Sequence, residues 1–189
     1  LGDTLAEIAT EKAGIIKPDG YLISAAQDPE VATILLDTAR KQNAKYAFEG
    51  VEFGVVERDR AVGGQLLTLR GLAGEYPDIE LPLHGEHQGQ NASLALAAVE
   101  AFFGGDRALA RDVVLAGFAQ VRSPGRLEMI RSEPLVVLDA AHNPHGVRAA
   151  STAFKEAFEL SHVHAVVGIL GEKDALGIFE VLREEYVDS

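Results

Sequence analysis

The sequence predicts an α/β chain built in two successive parts. Three observations lead there. A strand–helix–strand succession fills the early residues, Tyr21 to Phe48. The run Ser123-Pro124-Gly125 is a natural break. Beyond it the strand–helix alternation restarts, with the apolar run Val136-Val137-Leu138 ending in Asp139 and passing into a helix.

Taken in order, Thr4-Leu5-Ala6-Glu7 has the capping-box spacing, a hydroxyl followed three residues later by a carboxylate. It predicts a helix through about Lys12, with Leu5, Ile8 and Ala9 on one face and Gly14 ending it in the left-handed conformation. Pro18-Asp19-Gly20 is a turn, and Tyr21 to Ala26 reads as a buried strand. Pro29 opens a helix to Gln42 with Val31, Ile34, Leu35 and Ala39 inward, and Lys45 to Phe48 is a further strand. Val51–Glu57, Gln65–Leu72 and Ile79–Leu83, with a turn at Ala61-Val62-Gly63-Gly64, suggest a small antiparallel meander. An Ala- and Leu-rich helix follows from about Gln88 to Phe103, stopped by Gly104-Gly105-Asp106, then a helix from Ala108 to Val121. Past the break come strands Leu127–Arg131 and Leu135–Leu138, a helix near His145–Glu159, a strand Val163–Leu170 and a helix Ala175–Tyr186. An open sheet of this kind carries more strands, so the second part is expected to be incomplete.

Composition narrows the function. At 47% hydrophobic and 24% charged the 189 residues match globular averages, which argues against disorder. The net charge of -12 is the wrong sign for general binding to nucleic acid or anionic lipid. With no cysteine, a disulfide framework and a thiolate zinc site are excluded, as a cytoplasmic protein would allow. No apolar run approaches the roughly 20 residues of a spanning helix. The start Leu1-Gly2-Asp3 lacks an initiator Met and the parts of a signal peptide, and both ends read as cuts in a longer chain.

Five stretches carry possible chemistry. Glu11-Lys12-Ala13-Gly14-Ile15 puts a lysine at a helix end, where a cation complements the helix dipole without any further role. His84-Gly85-Glu86-His87-Gln88-Gly89-Gln90-Asn91-Ala92 has two histidines, but not at the i, i+4 spacing of a zinc-binding helix. Asn91, on the first turns of the next helix, can cap or can read a ligand edge with its donor and acceptor. Pro124-Gly125-Arg126 offers a forked guanidinium suited to phosphate, or a surface ion pair. Asp139-Ala140-Ala141-His142-Asn143-Pro144 sits at the carboxyl end of an apolar strand, where open α/β sheets bind ligands; a structural Asp is the competing reading. Gly168-Ile169-Leu170-Gly171-Glu172-Lys173-Asp174 repeats that placement, with a helix N-cap as the alternative role for Asp174. Neither a G-x-x-x-x-G-K-[ST] phosphate loop nor a G-x-G-x-x-G fingerprint occurs.

In chain order, Leu1-Gly2-Asp3-Thr4 with Ile8-Ala9 and Glu11 to Pro18, then His84-Gly85, His87-Gln88 and Asn91-Ala92, then Pro124-Gly125-Arg126, then Asp139 to Pro144, resemble the folylpolyglutamate synthase / dihydrofolate synthase family of the Mur ligase superfamily. The resemblance runs the length of the chain. It implies that residues 1–122 are the C-terminal portion of a Mur-ligase-type P-loop ATPase domain and that 123–189 begin a Rossmann-like Mur ligase C-terminal domain.

The family joins glutamate to dihydropteroate or a folate with ATP and Mg²⁺, through an acyl phosphate, in folate biosynthesis and one-carbon metabolism. By resemblance, Lys12 is a catalytic lysine that helps hold a metal once carbamylated, which requires its neutral amine. Asn91 contacts adenine, while Arg126 and Asp139 grip phosphate and ribose. His142 lies where glutamate and the acyl phosphate meet. The phosphate loop, an acidic metal ligand and a histidine expected before Leu1 are not among these residues, and Glu172 stands where an Asp is more usual. The 189 residues alone are therefore not expected to turn over ATP. Their parent is expected to be a cytoplasmic monomer whose partners are ATP, glutamate and a pteroate or folate, with no nucleic acid and no membrane. Two alternatives stay open: a peptidoglycan-precursor Mur ligase, and a non-catalytic nucleotide-binding remnant.

Overall fold

The computed structural model describes residue 2 and residues 4–158 and 162–187. Its elements, in chain order, are α1 (Leu5–Ala13), β1 (Tyr21–Ser24), α2 (Pro29–Lys41), β2 (Lys45–Phe48), β3 (Gly54–Ala61), β4 (Gly64–Arg70), β5 (Glu75–Leu81), α3 (Glu86–Phe102), α4 (Arg111–Ala119), β6 (Glu128–Ser132), β7 (Leu135–Leu138), α5 (Pro144–Ala157) and α6 (Ala175–Tyr186). This is the mixed α/β class the sequence predicts. The expected motif residues Leu1 and Asp3, and the expected helix end at Glu159, lie outside the described residues.

The chain forms two compact units. The first holds residues up to Glu57, Leu67–Ile79 and Gln90–Leu115. The second holds Arg58–Leu66, Glu80–Gly89 and the residues from Ala116 onward. The chain therefore crosses between units within the meander and within α3 before it crosses for the last time after Leu115.

In the first unit the capping box forms as read. Thr4 Oγ1 accepts from Glu7 N, and Glu7 Oε2 accepts from Thr4 N. Two details differ. Leu5 stands exposed, so the buried face of α1 is Ala9 and Ala13. Gly14 stays right-handed at φ -59, and Asp19 and Asn43 take the left-handed positions instead. The helix ends through tight turns, Gly14 N and Ile15 N donating to the carbonyls of Glu11 and Lys12. β1 and β2 pair in parallel, Tyr21 opposite Lys45 and Ser24 opposite Phe48. That pairing demands a crossover, and α2 supplies it. Ala13, Ile16, Ala39 and Ala44 make one core under Leu22, Ile34 and Leu35. Ala47, Phe53 and Ala97 make another, with Tyr21, Ile23, Leu72 and Leu94 packed on it.

The expected strand from Val51 starts only at Gly54. Residues 50–53 fold into a loop, because Val51 N and Glu52 N donate to the Phe48 carbonyl and Glu52 Oε2 accepts from Phe48 N. Strands β3, β4 and β5 lie side by side in that order. The two-residue link Val62-Gly63 between β3 and β4 permits only an antiparallel pair.

One buried charge organises the first unit. Glu100, fully buried on α3, accepts from Leu72 N, from Ala73 N at 3.2 Å and from the Tyr76 hydroxyl at 2.6 Å. The Tyr76 oxygen in turn accepts from Leu109 N at 2.8 Å. Three donors on one carboxylate offset the cost of burying it. The fit is close: a Cβ on Gly71 would stand 2.2 Å from Glu100 Oε2. Burial first, and then the bond to Glu100, push the Tyr76 hydroxyl up to about 12.

The second unit packs α5 on α6 around Val147, Ile178 and Val181. Asn143 caps α5 by accepting from Gly146 N, and Asp174 caps α6 by accepting from Gly177 N, the structural alternative for that residue. Arg148 bonds Glu184 and Glu185, and Lys155 bonds Glu185. β6 and β7 form an antiparallel hairpin, Glu128 opposite Leu138. The expected strand Val163–Leu170 is a correction: its described residues are irregular, with Val166 and Leu170 exposed. A strand needs a neighbour to take its N–H and C=O groups, and no described strand pairs with this run.

Glu100→Ala should cost about 2 kcal/mol or more in urea unfolding, since one buried and two half-buried donors lose their acceptor, at about 1–3 kcal/mol for a buried one and less where water can replace it. A loss under about 1 kcal/mol would contradict the network. Folded Tyr76 keeps its proton up to about pH 12, whereas the unfolded chain releases it near 10. Its stabilisation is thus complete below pH 10 and lost as pH rises to about 12. Stability measured across that window should fall less steeply in Tyr76→Phe than in the parent.

Candidate functional site

Asp139 follows β7, and its carboxylate joins two loops of the second unit. Oδ2 accepts from Leu127 N at 3.0 Å, and Oδ1 accepts from Ala141 N at 2.7 Å. Ala140 N closes the same junction by donating to the Gly125 carbonyl at 2.7 Å. The segment carrying Arg126 is thereby held against the segment carrying His142. The turn is tight enough to force buried Leu127 to φ 45, a conformation a leucine rarely adopts. Glu128 supports it from the other side, its carboxylate accepting from Gly125 N. Such strain persists where surrounding bonds over-determine the backbone, as they do here.

The structural reading of Asp139 is thus met. It is a clasp between two loops, and it stays exposed. A carboxylate offers about four lone-pair positions and the two backbone bonds use two of them. Arg126 beside it is exposed. His142 is exposed too, with Nδ1 3.1 Å from the Ala140 carbonyl. A carbonyl only accepts, so Nδ1 carries a proton in this contact and Nε2 faces away from it.

His87, in the first turn of α3, belongs to this neighbourhood, although the sequence offers it only as half of an unsuitable zinc pair. Its Nε2 lies 3.1 Å from the Gln88 amide nitrogen, which donates to it. Burial lowers the His87 ring below the usual histidine range. The charge of Asp139 raises it, and those of Arg126, Arg58 and His145 lower it further. His84 is lowered by burial alone and stacks at 5.5 Å on Phe158.

Lys12 and Asn91 fall in the first unit. Lys12 is exposed in the last turn of α1, and Asn91 is exposed in the second turn of α3. The structure brings Arg126, Asp139 and His142 together in the second unit. Among the described residues no group of three or more His, Asp or Glu side chains could hold a metal ion, so these residues do not by themselves form a Mg²⁺ cradle. No described helix is long and apolar enough to cross a membrane.

The electrostatic coupling gives a direct test. In an NMR titration of His87, Arg126→Met should move its midpoint up, by removing a repelling cation, and Asp139→Asn should move it down. Midpoints unchanged in both variants would detach His87 from the clasped loops.

Residues 125–188 match the Mur ligase glutamate ligase domain. The chain is 50% identical over 191 residues to the dihydrofolate synthase/folylpolyglutamate synthase of Mycobacterium tuberculosis, covering 97% of this chain and 39% of that protein. It is 32% identical over 174 residues to the Bacillus subtilis enzyme of the same name, covering 92% of this chain and 40% of that protein. In structure it is similar to Mycobacterium tuberculosis folylpolyglutamate synthase complexed with ADP and AMPPCP, with a TM-score of 0.93 at 49% identity over 98% of this chain and 42% of that one. A folylpolyglutamate synthase complex with AMPPCP and folate gives a TM-score of 0.87 at 31% identity, over 98% of this chain and 45% of that one. The chain spans about two fifths of the length of the curated relatives it matches. By sequence motif, domain match and fold together, the chain belongs to the folylpolyglutamate synthase / dihydrofolate synthase family, within the Mur ligases.

Proposed function

We propose that this chain is part of an ATP-dependent amide ligase that adds L-glutamate to dihydropteroate, to a folate, or to both. The observation that carries the reading is the clasp at Asp139, which sets an exposed guanidinium, an exposed carboxylate and an exposed histidine on adjoining loops at the carboxyl end of β7. Ligands of open α/β folds bind at such ends. ADP, AMPPCP and folate in the structures of relatives support the same reading.

In this proposal residues 1–122 belong to the ATPase domain and 123–189 to the C-terminal domain, the latter supported by the match over 125–188. The acceptor carboxylate attacks the γ-phosphorus of ATP and the bond to ADP breaks, leaving an acyl phosphate. The glutamate amine then attacks the acyl carbon. The amide bond forms, the bond to phosphate breaks, and the amine loses a proton. Arg126 binds phosphate oxygens as a forked donor, and Asp139 receives ribose hydroxyls on the lone pairs its backbone bonds leave over. Asn91 reads the adenine edge. His142 lies near the acyl phosphate, where an imidazole side chain suits proton transfer. Lys12, as a carbamate, would become an anion able to help hold Mg²⁺ alongside ligands outside these residues; no step is assigned to that ion. The proposed setting is a cytoplasmic, monomeric protein.

The test is ADP release by the full-length protein. ADP should appear only when a pteroate or folate and glutamate are both supplied, and a UDP-linked sugar acid should not replace the folate. Arg126→Ala and Asn91→Ala should each lower kcat/KM for ATP by about tenfold or more, roughly 1.4 kcal/mol of transition-state stabilisation. ADP release indifferent to folate would refute the substrate assignment.

A further inference from the structure

The second unit contains a buried amide whose two donor bonds both go to backbone carbonyls. Gln65, on β4, is 2% exposed. Its Nε2 donates to the Leu83 carbonyl at 2.9 Å and to the Gly85 carbonyl at 3.0 Å. Its Oε1 accepts from Arg58 Nε at 2.7 Å, and Arg58 Nη2 reaches Glu156 Oε2 of α5 at 2.8 Å. A polar relay thus runs from α5 through β3 and β4 to the loop that opens α3.

That loop has few other ways to hold its shape. Gly85 sits at φ +97, where a side chain is strained. A Cβ there would stand 2.6 Å from the Ala153 Cβ and 2.7 Å from His87 Cε1, so the His87 ring is stacked directly on the Gly85 backbone. The Gly85 carbonyl also accepts from Gln88 N at 3.0 Å, the first bond of α3. On one side the loop faces open space: Arg58, His84, Gly85 and Glu156 all line a cavity of about 450 Å³. Hydrogen bonds from Gln65 act beside the contacts of Gly85 with Ala153 and His87 in holding the loop.

We propose that Gln65 is a positioning residue for nucleotide binding: by clamping the carbonyls of Leu83 and Gly85 it fixes where α3 begins, and so where His87 and Asn91 in its first turns stand. This rests on the ATP reading above. Gln65 touches no ligand itself; it acts through the helix start. A glutamine suits the task because one amide must donate twice to carbonyls while accepting from a guanidinium. Glutamate keeps the length and the Arg58 contact but turns the donor into an oxygen facing two carbonyl oxygens. Leucine removes all three bonds.

The experiment titrates the full-length protein with AMPPCP and follows steady-state kinetics. Gln65→Leu and Gln65→Glu should each bind AMPPCP about tenfold more weakly and raise KM for ATP alike, while kcat at saturating ATP changes less than about threefold. Gln65→Glu carries the test should Gln65→Leu fail to fold. Val181→Ala, which loosens the α5–α6 core, serves as the comparison: it should lower the melting temperature yet bind AMPPCP within about twofold of the parent. Parental AMPPCP affinity in both Gln65 variants overturns the proposal and leaves the ligase reading standing. Equal weakening in Val181→Ala also overturns it, as a general loosening. A parent protein that does not bind AMPPCP at all sinks the ligase reading and this inference together.

Discussion

The second unit depends on one carboxylate that bridges two loops. Backbone N–H groups from opposite sides of a loop junction converge on Asp139, and their two bonds fix the carboxyl end of β7 against the Pro124-Gly125-Arg126 turn. With the Glu128 and Ala140 bonds to Gly125, that anchor holds Leu127 in the left-handed region. Charge-assisted bonds to backbone donors are strong enough to stabilise such a turn. They also leave the carboxylate exposed at the surface.

The first unit solves a parallel problem in the opposite way. Glu100 is sealed from water and spends its acceptors on Leu72, Ala73 and Tyr76. The contrast between the two acids is one of exposure. The clasp at the surface joins two loops in contact with water, whereas the one in the core locks a loop onto a helix.

Much of this was legible beforehand. Helix positions followed from periodicity and from end signals such as Thr4 with Glu7, Pro29 and Asn143, because these act within a few residues of themselves. Asp139 and His142 were legible together because a strand-to-helix junction is a local pattern with a known place in α/β folds, whereas Arg126 was legible only as a turn residue at the break and joins them on folding. The failures were non-local. Val163–Leu170 has the composition of a strand, but composition does not supply a neighbour. Val51 belonged to a loop because Glu52 turns back on Phe48. Glu100 and Gln65 gave no signal, since a charged or amide residue in an ordinary run becomes meaningful only through partners far along the chain. His87 was visible as a histidine, but its coupling to Asp139 and Arg126 arises only on folding.

The interleaving of the two units has a consequence for how this polypeptide comes to be made. Arg58–Leu66 and Glu80–Gly89 leave the ribosome well before α5 and α6, yet they belong to the same compact body. Arg58 must wait for Glu156, nearly a hundred positions downstream, before its partner exists. The second body therefore cannot be complete until the last helices emerge, and no single scission of the backbone yields both intact. Circular permutation or split-protein designs would have to respect all five crossings rather than any one linker.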